Sequence, residues 1–380
     1  MFTPARLASL LACSLSFACV GGSSATSSGT NSTGAGGSGP AGCIKVDCSV
    51  DANESTPECG YSAEPGSIGD GPAFLGDSPD LRRGFVENAT VYLTYRAGEN
   101  GAVFSVDTQS GERTFLSGVI EDPQTGPQPR GIGENLGSPW DVGRAPGGKL
   151  YVLVDNDMGR QILLIDESSG DGEQVVDLSM APCSIGGESV QLDPQFEVLP
   201  NGDLLFIGDA NGGSGLFEID AATNLCTTLS FASDDANQVG TGPRFYGFRS
   251  LTLADTKVYV SDEPSESLVE IDLSTGARLR VSSTDTATPF GEGPYSGTES
   301  LLAQGGSVLA ARDSLYSSGI LTETELATGN RTELFVLGGP LSNPDQPWLY
   351  GASEGCFYFG NRDTLYVFDP ASGLSNRVSR

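Results

Sequence analysis

From about residue 83 onward, short apolar or alternating runs are broken at regular intervals by turn residues, and one phrase recurs six times. It stands as FSVDTQSG (104–111), LIDESSG (164–170), FEIDAATN (217–224), VEIDLSTG (269–276), ETELATG (323–329) and VFDPASG (367–373). The acidic markers Asp107, Asp166, Asp220, Asp272, Glu325 and Asp369 are 59, 54, 52, 53 and 44 residues apart. Each copy is an apolar run ending in an acid, then Ser or Thr, then Gly or Asn, which describes a strand, a tight turn and the start of another strand. A second short run precedes each phrase: VYLT (91–94), LYVL (150–153), LLFI (204–207), VYVS (258–261), VLAA (308–311) and FYF (357–359). In copies two to five a further strand comes first, such as WDV (140–142) ahead of PGG, and FEVL (196–199) ahead of PNG. An outer strand follows the Ser/Thr-Gly turn, as in RTFL (113–116) and RLRV (278–281).

Four strands in a unit of 44 to 59 residues is the size of a propeller blade. The expected fold is all-β, a six-bladed β-propeller of four-stranded antiparallel blades over 83–380. Between copies runs a loop ending in Gly-Pro: TGP (125–127), GTGP (240–243), GEGP (291–294) and GGP (338–340). With its loop–strand–turn–strand order, the unit resembles blades of the NHL-repeat and senescence-marker-protein (gluconolactonase)-like propellers. The 52 Gly and 22 Pro make roughly a fifth of the chain turn-forming, which argues against a helical architecture.

The first 40 residues follow another pattern. Met1 to Ala18 carries one charge, Arg6, and then an apolar run too short to span a bilayer, the layout of a signal segment (1–18). Leu10-Leu11-Ala12-Cys13 and Ser16-Phe17-Ala18-Cys19 both resemble the bacterial lipoprotein processing box, with Cys19 leaving an apolar stretch of normal length. Lipidation is therefore expected at Cys19, with Cys13 as the alternative. Residues 19–42 follow as a tether: 17 of the 23 residues 20–42 are Gly, Ser or Thr, a flexible coil spanning roughly 25 Å. These features predict export, a lipid anchor in the cell envelope (outer membrane or surface), and a monomer with an envelope protein or glycan as its partner.

Cleavage before Cys19 leaves Cys43, Cys48, Cys59, Cys183, Cys226 and Cys356, an even set suited to an oxidising compartment. Cys183 and Cys226 are expected to pair. One of Cys43, Cys48 and Cys59, in a lead segment (43–82), is expected to bond Cys356 and so tie the last blade to the first. The spacing of these thiols does not fit zinc.

Charge and composition narrow the chemistry. With 49 acidic residues against 20 basic, a net charge of −29 and a pI near 4.1, the chain repels phosphate backbones, so nucleic acid is excluded as a partner. There is no histidine, hence no Ser-His-Asp relay and no imidazole ligand. Aligning the inner strands on their following turns puts Trp140, Pro194, Phe248 and Thr298 in one column. The next column holds Asp141, Gln195, Arg249 and Glu299, with Trp348 at the corresponding place in copy six. Asp141, Arg249, Glu299 and Trp348 are thus the candidate ligand-binding residues of the channel mouth. Asp141 with Glu299 is a candidate acid/base pair.

The gluconolactonase-like resemblance implies a divalent metal held by Glu, Asn and Asp at such strand starts. Only Glu292, in Glu292-Gly293-Pro294, echoes that pattern, while Asp155 and Asp157 offer oxygens to calcium or act as turn caps. No cofactor is expected, with calcium or another divalent metal as the alternative. The function expected is a surface-tethered binding or interaction module. Its alternatives are a metal-dependent lactonase or hydrolase and a structural envelope protein.

Overall fold

The computed structural model describes Cys48–Ser49, Glu58–Cys59 and most of 71–379; the longest stretches left out are 294–299, 313–318 and 338–347. The signal segment, the tether, Cys19, Cys43, Asp157 and Glu299 lie outside the described residues. Among the described residues the structure is β with one 3-10 turn; besides two two-stranded ladders, it forms six antiparallel sheets that follow one another along the chain. Their inner strands are Asp80–Glu87, Ser138–Arg144, Gln191–Val198, Phe248–Ala254, Ser300–Gln304 and Trp348–Ser353. They touch in sequence around a ring, and the sixth meets the first. This is the six-bladed propeller that the repeat predicts.

Burial explains the two kinds of apolar run. Second strands such as Leu150–Asn156 and Leu204–Ala210 are buried along five consecutive residues, because both faces of each blade are covered by neighbours. The outer strand Gly172–Asp177 is less covered, with Glu173 and Gln174 exposed and Val176 buried. The recurring acids are turn framework: Asp107, Asp166, Asp220 and Asp272 each accept backbone N–H groups from two and three residues on. Hydroxyl hydrogen bonds from Ser168, Thr223, and Ser274 with Thr275, followed by these backbone N–H groups, hold the Asp166, Asp220 and Asp272 carboxyls below their ordinary range.

The Gly-Pro loops have a task that spacing alone does not reveal. Six residues after the acidic marker stand Arg113, Arg278 and Arg331, each opening an outer strand, and each guanidinium is held by carbonyls of the loop that precedes its blade. Arg278 donates from Nε to the Pro243 carbonyl (2.9 Å) and from Nη1 to the Val239 and Phe231 carbonyls (2.6 and 3.2 Å) and to Ser230 Oγ (3.0 Å). Arg331 donates to the carbonyls of Phe290, Gly291 and Gly293, and to Ser282 Oγ. Arg113 does the same with Gly71 and Pro72, so residues ahead of blade 1 act as its connector. At Gly242, φ is +117° and an added Cβ would lie 2.1 Å from the Arg278 carbonyl oxygen, which makes glycine obligatory there.

In blade 3 the sixth residue after Asp220 is Cys226, and its disulfide to Cys183, in the connector ahead of that blade, occupies the place of the arginine clamp. Cys356 is buried and also disulfide-bonded. The backbones of Cys48 and Cys59 pair directly across a two-residue ladder, and Glu58–Cys59 lies against the last strand, Leu374–Ser379. The Thr125-Gly126-Pro127 phrase departs from its apparent equivalents. Gly126–Arg130 forms a fifth strand on blade 1, paired with Arg113–Asp122, rather than a carbonyl clamp.

Candidate functional site

An inner strand has a partner on one side only, so half of its backbone N–H groups face the central channel without a ladder bond. Side chains of one blade accept these N–H groups from the next. Asp141 Oδ2 accepts from Phe196 N (3.0 Å), Glu197 from Leu253 N, Thr252 Oγ1 from Ala303 N (3.1 Å) and Ser300 Oγ from Leu349 N (3.2 Å). A chain of acceptors thus runs from blade 2 to blade 6, and two of its members are carboxylates.

Bulges decide which side chains enter this ring. Register shifts occur in the inner strands between Leu81 and Gly84, Pro139 and Asp141, Leu192 and Phe196, Phe248 and Ser250, and Leu349 and Gly351. Such insertions re-aim side chains at the rims of sheets. In blade 1 the bulge releases Arg82 and Arg83. The Arg82 guanidinium stacks 3.6 Å from the Trp140 ring centroid and pairs with Asp80. Arg83 reaches across the channel to blade 4, where Nη2 donates to Ser250 Oγ (3.2 Å), and its guanidinium lies 5.1 Å from the Trp348 ring.

Arg83, Asp141 and Glu197 form the charged end of a cavity of about 340 Å³. The wall also includes Phe85, Leu251, Leu301 and Leu302, but Leu251 and Leu301 are buried in the cores between blades, and polar atoms supply the larger part of the cavity surface. Asp141 is 5% exposed, and both of its oxygens accept backbone N–H groups, from Val142 and Phe196. Burial pushes its carboxyl up to about 7, opposed by the Arg83 charge. Glu197 is pushed up to about 8 by burial and by Asp141, again opposed by Arg83. At the other rim Arg144 pairs with Glu87 (2.7 Å) and Glu167.

The sequence-predicted residues divide. Asp141 lines the cavity, and Trp348 borders it through Arg83. Arg249 sits in the blade 4 bulge, its side chain 61% exposed and ion-paired with Glu263, while the next residue, Ser250, faces the channel. Glu292 belongs to the blade 5 clamp, where its carbonyl accepts from Arg331 N (2.7 Å). Asp155 pairs with Arg160 at 3.9 Å. Among the described residues no three Cys, Asp or Glu side chains converge on a point, so the donors in hand do not make the metal site of the gluconolactonase resemblance. Arg83 and Glu197 escaped the sequence alignment. The readable signal was a carboxylate between Phe196 and Val198 in an inner strand, where the chain tolerates no charge without a partner.

No family model matches the sequence, and no curated protein matches it either. Solved structures do. The tricorn protease aligns at 13% identity over 79% of this chain and 26% of its own, with a TM-score of 0.47. A protein of unknown function from Bacteroides thetaiotaomicron aligns at 12% over 79% and 74%, with a TM-score of 0.48. The luciferin-regenerating enzyme aligns at 13% over 80% and 91%, with a TM-score of 0.47. The likeness is one of fold. The chain spans about a quarter of the tricorn protease chain, and at these identities the matches carry no assignment of activity.

Proposed function

We propose that this chain is a lipid-tethered propeller of the bacterial cell envelope that binds a small ligand in its central channel. The observation that carries the binding half is the cavity itself, into which Arg83, Asp141 and Glu197 converge with the ionisation of both carboxyls pushed up by burial. Convergent polar groups of perturbed ionisation in a cleft mark candidate small-molecule sites. The tether rests on the processing box at Cys19 and the Gly/Ser/Thr run behind it.

A thermal-shift screen of small metabolites tests the site. Hits are expected with the wild-type chain and are expected to vanish in the Asp141→Asn/Glu197→Gln double variant; hits that persist in that variant place the ligand elsewhere. The anchor is tested by a fatty-acid label, which is expected on the full chain and on Cys13→Ala but absent from Cys19→Ala. Label retained on Cys19→Ala overturns the assignment of the anchor. A hydrolase reading draws on the same carboxylates as acid and base. It predicts turnover of lactones or esters that Glu197→Gln abolishes, whereas the binding reading predicts none.

A further inference from the structure

We infer that the channel takes a small organic monocation, an amine with a short aliphatic body whose ammonium group sits between Asp141 and Glu197. The inference rests on the reading that the channel binds a ligand and adds its chemical class. Among the described residues, Asp141, Glu197 and Arg83 line the cavity together, and the half-buried Asp193 also feels the Arg83 charge. The inner strands of blades 4, 5 and 6 bring Leu251, Thr252, Ser300, Leu301 and Leu349 to the cavity, and none of these carries a charge. Arg144, the other cation of the wall, is already paired with Glu87 and Glu167.

Among the described residues, Arg83 is the cation that bears on both Asp141 and Glu197, and it bears on Asp193 as well, so one guanidinium faces more than one carboxylate when they are ionised. Burial pushes both carboxyls up, which favours a proton on the pair near neutral pH. An ammonium group is the natural replacement for that proton. It brings one positive charge and three N–H donors, and it can share oxygens that already accept one hydrogen bond. A divalent metal is less well served, because both Asp141 oxygens are engaged by backbone N–H groups. Glu197, surrounded by protein, still keeps part of its surface open to the cavity, and the uncharged inner strands of blades 4 to 6 leave room for a short chain.

The test uses the full chain with n-butylammonium, n-butanol and butyrate as probes, read by isothermal titration in two buffers of different ionisation enthalpy and by melting temperature. Saturable butylammonium binding with release of up to one proton at pH 7 is expected, with affinity at least tenfold higher at pH 8.5 than at pH 6. Glu197→Gln is expected to weaken it at least tenfold and Lys257→Ala to leave it unchanged. The proton count on the wild-type chain does not depend on how well any variant folds. Binding of butanol or butyrate in preference to the amine keeps the channel as a site but overturns the monocation. No binding by any probe overturns the monocation as well, and if the metabolite screen is also empty, the channel reading falls with it.

Discussion

Raising the pH from 5 to 9 is expected to weaken the folded propeller by several kcal/mol through Asp141 and Glu197. In the unfolded chain these groups ionise near 3.9 and 4.3, whereas burial moves them to about 7 and about 8 in the fold. Below pH 4 both states hold the protons and the pair contributes its full stability. Between those limits the folded chain retains protons that the unfolded chain has released, so the free energy of unfolding falls as pH rises, and it levels off above pH 8. A three-unit shift is worth about 4 kcal/mol for one group. Because the two carboxyls share Arg83 and repel each other, they titrate as one coupled pair. Denaturant unfolding at pH 5, 7 and 9 reads this out, with the Asp141→Asn/Glu197→Gln double variant as reference. The variant is expected to show a shallower fall by at least about 2 kcal/mol; parallel curves would show that the pair is not desolvated as described.

The second large effect is expected at the connector clamps. Arg278 and Arg331 are 5% and 8% exposed; the Val239, Phe231 and Phe290 carbonyls they reach each accept a backbone N–H as well, but Arg278 also donates to the Pro243 carbonyl and Arg331 to those of Gly291 and Gly293. Truncation to alanine removes these donors from a buried site, and a loss of about 3 kcal/mol is expected for each. Arg278→Lys is expected to recover only part of it, because a single ammonium cannot reach the Pro243 and Val239 carbonyls as a planar fork does. Breaking the Cys183–Cys226 bridge, which closes a 43-residue separation, removes about 4 kcal/mol in the chain-entropy account. Arg249→Ala, which removes an exposed side chain paired with Glu263, is the control and is expected to change stability by less than about 1 kcal/mol. Equal losses at Arg249 and Arg278 would remove the special role of the carbonyl cages.

The repeating phrase made the blades legible because its acid, hydroxyl and glycine obey local turn chemistry, which Asp107, Asp166, Asp220 and Asp272 then display. The channel was harder to read. Its side chains are selected by bulges, and a bulge has no reliable mark in a single sequence: the extra residue at Arg249 turns Ser250 inward and Arg249 outward. Asp141 was found because it follows its bulge, while Glu197 passed as one step of an ordinary alternation. The Gly-Pro loops were visible as punctuation, but their purpose depends on arginines 35 to 41 residues further on. That pairing is spatial, and only the folded ring brings the two together.

One property of those clamps bears on how the ring is assembled. Each connector precedes the blade it holds: Gly71-Pro72 for blade 1, Cys183 for blade 3, 240–243 for blade 4 and 291–293 for blade 5. Nothing further along the chain is needed to shut any of them. A polypeptide released from its N-terminus first can therefore finish and latch its blades one after another in the order of synthesis. The meeting of the sixth inner strand with the first, and of Glu58–Cys59 with the last strand, has to wait for the end of the chain.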